Sequence, residues 1–269
     1  MSADALVALG LSIRVAFFAT LLNALLGIPL AYILARRAFR GRALVDLLVT
    51  LPLVLPPTVT GYYLIVLLGR RGWLGAPVYA WTGWSVAFTW YAAVIAATVM
   101  ALPLLVRTAR AAIESVDREL EKAAYTLGRS EWRTALEVTL PLAKNGIIAG
   151  LVLAFARALG EFGATLMLAG NIPGKTTTVP LAIYTAVQTG EMGEAVLLVV
   201  ALTILSCVDL MVAGRLGARA ARATASRSRS RSSCPSSRST SRGPPATVLP
   251  CSSGPRAPAR RSRCSASPA

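Results

Sequence analysis

Five long apolar stretches alternate with shorter polar ones along the chain. A helix of about 20 apolar residues crosses the roughly 30 Å hydrocarbon core of a bilayer, and each stretch is at least that long. The pattern therefore predicts an all-α, polytopic membrane protein with about five transmembrane helices. The predicted spans are residues 6–34, 44–68, 84–106, 142–169 and 195–216.

Lysine and arginine are distributed unevenly among the connections between these spans. The connections after the first and third spans hold eleven of them, from Arg36 to Lys144, whereas the other two hold only Arg70, Arg71 and Lys175. Because basic residues are in excess in cytoplasmic loops, we predict the N-terminus outside and the C-terminus in the cytoplasm. The first span lacks the basic start of a signal peptide, so we predict that it is retained.

Composition agrees with a membrane protein. Hydrophobic residues make up 55% of the chain and charged residues 15%, with a mean hydropathy of +0.59, a balance unusual for a soluble domain. The net charge of +16 comes largely from residues 218–269, which hold 11 of the 28 basic residues and no acidic residue. The rest of the chain has 17 basic and 12 acidic residues, so its charge does not indicate nucleic-acid binding.

Residues 218–269, termed the tail, change abruptly to arginine, serine, proline and alanine. Such a segment buries too little apolar surface to offset the entropy of ordering. We therefore predict a transmembrane domain over residues 1–217 and a disordered tail. Arginines of this kind can bind anionic lipid headgroups or the phosphates of nucleic acid, and we expect membrane lipid, not nucleic acid, as a partner. Our hypothesis is that the tail is translated from a shifted reading frame of GC-rich DNA.

Several kinds of reactive site are excluded by composition. Histidine is absent and the four cysteines form no CxxC pair, which excludes a His-based catalytic triad and a Cys/His zinc site. The phosphate-loop pattern GxxxxGK[ST] does not occur either. We expect no catalytic residue, metal or cofactor in this chain, and hence a protein that is not an enzyme.

The polar stretch 117–141 separates the third and fourth spans and has strong helix signals. Asp117, Glu119 and Glu121 place negative charge where a helix begins, and Gly128 is placed to end that helix in a left-handed conformation. Helical spacing then predicts one small apolar face, made of Leu120, Ala123, Ala124 and Leu127.

A second short helix is predicted after Gly128. Ser130 can cap it, and Pro141 marks the entry into the next span. A small apolar face suits a helix that inserts into the groove of a partner. The pattern equally fits an amphipathic helix that lies on the membrane or packs on its own protein.

Residues 121–141, EKAAYTLGRSEWRTALEVTLP, resemble the coupling motif of ATP-binding-cassette importer permeases. That motif is Glu-Ala-Ala, three residues, Gly, nine residues, then an aliphatic residue, any residue and Leu-Pro. Lys122 stands at the Glu position of the motif, and Glu121 lies one residue earlier. The resemblance implies that this segment docks on an ATPase subunit. The residues implicated in coupling are Glu121, Ala123, Ala124, Leu127, Gly128, Leu140 and Pro141.

A narrower resemblance extends over roughly residues 6–217. The stretches 51–75 and 155–185 are similar to molybdate permeases, and RALGEFGA and GNIPG are also similar to sulfate permeases. The resemblance implies a type I importer permease fold in a prokaryotic cell membrane. It also implies a homodimer with a cytosolic ATPase and an extracytoplasmic molybdate-binding protein. Sulfate or tungstate remains the alternative cargo, and an ATP-independent channel or transporter is the alternative of another class.

Two groups of residues are candidates for the translocation pathway or its gate. Pro56 and Pro57 interrupt the second span, and Thr58 and Thr60 follow with hydroxyl groups that can contact an oxyanion. A kinked packing helix with self-bonded threonines is the alternative. Arg157 and Glu161 are four residues apart in the fourth span, so we expect an ion pair that either gates the pathway or neutralises itself where two copies meet.

Overall fold

The computed structural model describes residues 3–232, and every regular element in that range is helical. A π-helical turn, Ala135–Thr139, joins α7 to α8. The prediction of an all-α protein is confirmed for this part of the chain. The helices are α1 (Ala3–Arg36), α2 (Arg42–Val54), α3 (Pro57–Leu68), α4 (Gly75–Thr82), α5 (Trp90–Glu114), α6 (Arg118–Thr126), α7 (Glu131–Thr134), α8 (Leu140–Leu159), α9 (Gly163–Ala169), α10 (Val179–Thr189) and α11 (Met192–Ser232).

Within the described residues, four helical segments are long and apolar enough to cross a membrane. A fifth is formed only if α2 and α3 are counted as one span, since α3 is bent by 118° from α2. These counts agree with the prediction of about five spans. The four segments are Ala5–Arg36, Trp90–Glu114, Glu131–Leu159 and Met192–Val212.

Two predicted spans are interrupted in the structure. Residues 44–68 form α2 and α3 because Leu55 and Pro56 are extended, with ψ angles of 144° and 136°. Each of these residues precedes a proline, which disfavours the α conformation. Residues 142–169 form α8 and α9, because the chain leaves the helix between Leu159 and Gly163.

Other boundaries also differ from the prediction. The third span begins at Trp90 instead of residue 84, because Thr89 caps α5 by accepting a hydrogen bond from Ala92 N at 3.4 Å. Two short helices, α4 and α10, lie in connections where no helix was predicted. α11 continues past residue 217 to Ser232, into the stretch predicted to be disordered, and residues 233–269 of the tail lie outside the described part of the chain.

α5 lies at the centre of the fold, between α1 and α8. Small residues let helix backbones approach closely in a membrane, and α5 buries a surface that is rich in them. Because α5 and α8 pack side by side, the segment that connects them, residues 117–141, leaves and re-enters the membrane domain at neighbouring points. The buried alanines of α5 are Ala92, Ala93, Ala96, Ala97, Ala101 and Ala109.

The two interrupted spans contact each other through glycine. A Cβ added at Gly61 of α3 would lie 2.8 Å from Ala164 Cα, and one added at Gly163 of α9 would lie 2.9 Å from Pro57 Cβ. The starts of α3 and α9 are therefore in backbone contact. The small surface predicted at Gly163 and Ala164 is used for this contact, whereas an added Cβ at Gly160 would meet nothing nearer than 3.8 Å.

We expect Gly61→Ala to destabilise the protein by about 1–3 kcal/mol, because overpacking forces backbone or side chains apart. Thermal unfolding of the purified protein in detergent measures the effect. Gly10→Ala in α1 is the matched control, since an added Cβ there meets nothing within 4 Å. An equal change in the two variants would contradict the proposed role of the α3–α9 contact.

Candidate functional site

The coupling segment, residues 117–141, begins with α6. Asp117 caps this helix by accepting a hydrogen bond from Glu119 N at 3.0 Å. At the other end Gly128 has a φ of 78°, and Arg129 N donates to Ala124 O at 3.2 Å, which is the six-residue closure of a Schellman cap. The predicted left-handed end at Gly128 is confirmed.

The second half of the coupling segment continues into α8 without a break. Ser130 occupies the N-cap of α7 in an extended conformation, although its side chain makes no capping hydrogen bond. The π turn follows, and Pro141 lies in the first turn of α8. Insertions of this π type occur frequently at functional sites.

The apolar residues of the coupling segment are largely exposed. Leu127 has 82% of its surface exposed, Trp132 64% and Leu136 62%, and Leu120 is exposed as well. Of the four residues predicted to share one face, only Ala124 is buried against its own chain, and Ala123 is exposed. A cluster of exposed large apolar side chains is typical of a protein interaction surface.

The acidic residues of α6 occupy two different environments. Lys122 is exposed and pairs with Glu119 at 2.9 Å. Glu121 is 7% exposed, pairs with Arg36 at 2.9 Å and accepts a hydrogen bond from Thr139 Oγ1 at 2.7 Å. Glu121 therefore faces its own chain and not the solvent.

A second ion pair links the end of α1 to α7. Arg37 donates two hydrogen bonds to the Glu131 carboxylate, at 3.1 and 2.9 Å. Both side chains are about half exposed, so solvent screening limits the contribution of this pair to stability.

The candidate pathway residues lie where α2 meets α3. Pro56, Pro57 and Thr58 are exposed. Thr60 is buried, and its hydroxyl has no hydrogen-bond partner among the described residues. Thr58 and Thr60 thus lie in different environments. The Thr60 hydroxyl does not bond to its own helix backbone, as the alternative of a kinked packing helix expects.

The expected ion pair between Arg157 and Glu161 is present, with Nη1 and Oε2 2.6 Å apart. Glu161 is 2% exposed and lies in the interruption between α8 and α9. Its other oxygen accepts a hydrogen bond from Ala164 N at 2.9 Å. The Glu161 carboxylate thus accepts a hydrogen bond from a backbone donor at the start of α9. It also neutralises the charge of Arg157 in the last turn of α8.

Comparison with known proteins is consistent with this geometry. Residues 27–222 match the family of binding-protein-dependent transport system inner membrane components. The chain belongs to this family. It is 50% identical over 204 residues to the molybdenum transport system permease protein ModB of Escherichia coli K12, covering 75% of this chain and 89% of that one. It is 46% identical over 213 residues to ModB of Haemophilus influenzae, covering 79% and 93%.

A probable sulfate transport permease, cysT of Chlorokybus atmophyticus, is also related to this permease. The two are 38% identical over 173 residues, which cover 64% of this chain and 60% of that one. Since its relatives are permease subunits of transport systems, the chain is classed as a multi-pass inner membrane transport protein.

Solved structures of transporters share the fold. The MetNI methionine ABC transporter in an inward-facing conformation superposes with a TM-score of 0.62 at 17% identity, over 82% of this chain and 99% of that one. A bacterial alginate ABC transporter gives 0.64 at 18% identity, over 81% and 80%. The prediction of a type I importer permease fold is confirmed.

Sequence reasoning missed Arg36 and Arg37 as site residues of this permease. The sequence pattern indicates them only as part of the basic excess that orients the chain. In the structure they lie at the end of α1 and contact Glu121 and Glu131 of the coupling segment. More than 80 residues separate each pair along the chain, so no local pattern could have connected them.

We expect Glu161→Gln to lower the free energy of unfolding of this permease by up to about 3 kcal/mol, because it leaves the Arg157 charge without its partner. The glutamine oxygen can still accept from Ala164 N, so the change isolates the charge. Thermal unfolding in detergent measures the loss. Arg157→Met combined with Glu161→Gln removes both charges and should recover part of the stability. A double variant less stable than Glu161→Gln would argue against the ion pair as the cause.

Proposed function

We propose that this chain is the permease subunit of an ATP-driven molybdate importer, in which two copies form the translocation pathway. The observation that carries the proposal is the 50% identity to a molybdenum transport permease over most of both chains. Two cytosolic ATPase subunits and an extracytoplasmic molybdate-binding protein complete the importer. The N-terminus lies outside and the C-terminus in the cytoplasm.

The coupling segment supports an ATPase partner. It has exposed Leu127, Trp132 and Leu136 on one side and the buried Glu121 and Ala124 on the other. An apolar ridge of this kind fits the groove of a partner domain. We infer that the exposed ridge docks on the ATPase while the buried side holds the segment to the membrane domain.

The stretch of the sequence that comes nearest to a phosphate loop does not have the structure of one. Residues 169–176, AGNIPGKT, come within one residue of the phosphate-loop pattern, with Ala169 at its first position. They connect two helices, α9 and α10, whereas a phosphate loop follows a strand. The Thr176 hydroxyl is buried, donating to Gly170 O and accepting from Ile172 N. This supports a separate chain as the source of ATP hydrolysis.

A homodimer presents each pathway candidate twice around one symmetry axis. The exposed large apolar residues on α2 and α3 include Leu51, Val54, Tyr62 and Tyr63, and these two helices supply a surface for the second copy or for lipid. We place the anion path beside the interruption at Pro56, Pro57 and Thr58. Glu161 is buried within its own chain. This supports a structural role for its pair with Arg157, not a contact with the transported anion.

ATP-dependent uptake of radiolabelled molybdate tests the proposed function. Proteoliposomes holding this chain, its ATPase and its binding protein should accumulate molybdate only with ATP. Because tungstate matches molybdate more closely than sulfate does in size, excess tungstate should abolish uptake and excess sulfate should leave it largely intact. Strong competition by sulfate would assign the chain to sulfate transport, consistent with its sulfate permease relative. Uptake without ATP would indicate a channel or secondary transporter.

We expect Gly128→Leu to abolish ATPase co-purification and ATP-dependent uptake while the chain still inserts. A leucine at a φ of 78° costs about 1–2 kcal/mol and adds bulk to the docking ridge. Gly190→Leu is the matched control, because Gly190 has a φ of 82° and likewise has no atom near an added Cβ, but it lies after α10. Co-purification should survive in the Gly190 variant. If Gly128→Leu retained both ATPase and uptake, docking through this ridge would be wrong.

A further inference from the structure

The end of α1 reaches the buried side of the coupling segment through one side chain. Arg36 is the last residue of α1, and its side chain is 7% exposed. Its Nη2 pairs with Glu121 at 2.9 Å and donates to Val116 O at 3.0 Å. Arg36 thus contacts both the backbone just before α6 and the acidic first turn of that helix.

Glu121 extends this contact to the fourth span. The same carboxylate oxygen accepts a hydrogen bond from Thr139, the last residue of the π turn, at 2.7 Å. Thr139 is fully buried, and α8 begins at the next residue. One buried carboxylate therefore joins α1, α6 and the start of α8.

The remaining contacts of α6 make this connection important. α6 packs mainly on α7 and the π turn, which belong to the coupling segment itself. Leu120 of α6 and Leu127, which directly follows the helix, are exposed. A direct link between α6 and α1 is supplied by the Arg36 side chain. A buried charge that loses its partner is strongly destabilising, so the two groups are expected to stay together when the segment moves.

We propose that Glu121 and Arg36 form a positioning pair, which transmits movement of the coupling segment to α1 and acts inside its own chain instead of contacting the ATPase. This inference rests on the proposed function. It assigns different roles to the two sides of the coupling segment: the exposed ridge binds the partner, and the buried pair moves the spans. Glu121 is a positioning residue in this account, because no transported anion contacts it.

The pair Lys122–Glu119 provides an internal contrast on the same helix. Its two charged atoms are also 2.9 Å apart, but its side chains are 67% and 70% exposed. Exposed ion pairs contribute little to the stability of a fold. Neutralising Glu119 therefore changes the charge of α6 as neutralising Glu121 does, without breaking the connection to α1.

The test measures three quantities in the assembled transporter: co-purified ATPase, the rate of ATP hydrolysis, and anion transported per ATP hydrolysed. Glu121→Gln retains an oxygen that can accept from Thr139 but removes the charge opposite Arg36. We expect it to keep the ATPase bound and hydrolysing, while anion transported per ATP falls at least about fivefold because one buried charge lacks its partner. Arg36→Met should behave likewise. Glu119→Gln should match the unaltered protein.

The double variant Arg36→Met with Glu121→Gln guards against simple misfolding, since it leaves no buried charge unpaired. It should be more stable than either single variant but still poorly coupled, because the neutral side chains no longer connect α1 to α6. Loss of ATPase binding in Glu121→Gln would overturn the proposal by making Glu121 a docking contact. Normal coupling in the double variant would overturn it by reducing the pair to a fold-stabilising role.

Failure of the proposed function is distinguishable from failure of this inference. If the unaltered transporter moves sulfate instead of molybdate, the proposed cargo is wrong, and the coupling ratio is then measured with sulfate. If the unaltered transporter moves its anion without ATP, there is no coupling for the pair to transmit, and both proposals fail together.

Discussion

Backbone N–H and C=O groups at membrane depth must find partners inside the protein, and this requirement governs the whole structure. It explains why the segments long enough to cross the membrane are helical. It also constrains the two interruptions. The first is made by Pro56 and Pro57, which have no N–H to satisfy. The second is made beside Glu161, whose carboxylate accepts the hydrogen bond of Ala164 N. The two helix interruptions thus meet the same hydrogen-bonding requirement in chemically different ways.

Close packing between the interrupted spans follows from the same constraint. With no water to drive apolar association in a bilayer, helices adhere through near approach of their backbones. Gly61 and Gly163 allow that approach where α3 and α9 begin, and the alanine surface of α5 allows it at the centre. The exposed Pro56, Pro57 and Thr58 lie beside this contact, so the interrupted backbone of the second span is supported by close packing.

The coupling segment reverses the usual distribution of residues between surface and interior. Most of its large apolar side chains are exposed, while Glu121 and Thr139 are buried. Exposed apolar residues favour association with a partner, and buried hydrogen-bonded charges fix the geometry behind them. The two features together fit the proposed role of this segment, in which one side binds the ATPase and the other is held by its own chain.

Local signals in the sequence determined much of this protein. The length of the apolar stretches predicted the helical membrane fold, the spacing of Asp117 and Gly128 predicted both ends of α6, and the four-residue separation of Arg157 and Glu161 predicted their ion pair. Each of these depends on residues within a few turns of one another. The resemblance of residues 121–141 to a coupling motif added the family, which the comparisons confirm.

Tertiary structure decided what depends on residues far apart in the chain. The sharp bend between α2 and α3 was not predicted, because prolines indicate an interruption but not its angle. The sequence also could not separate Glu121 from its neighbours Glu119 and Lys122, since all three are charged residues of one short helix. Their environments diverge because Arg36, at the end of α1, lies on one side of that helix only. The partner of a buried charge is set by how helices pack, and that packing is not encoded in the local pattern around either residue.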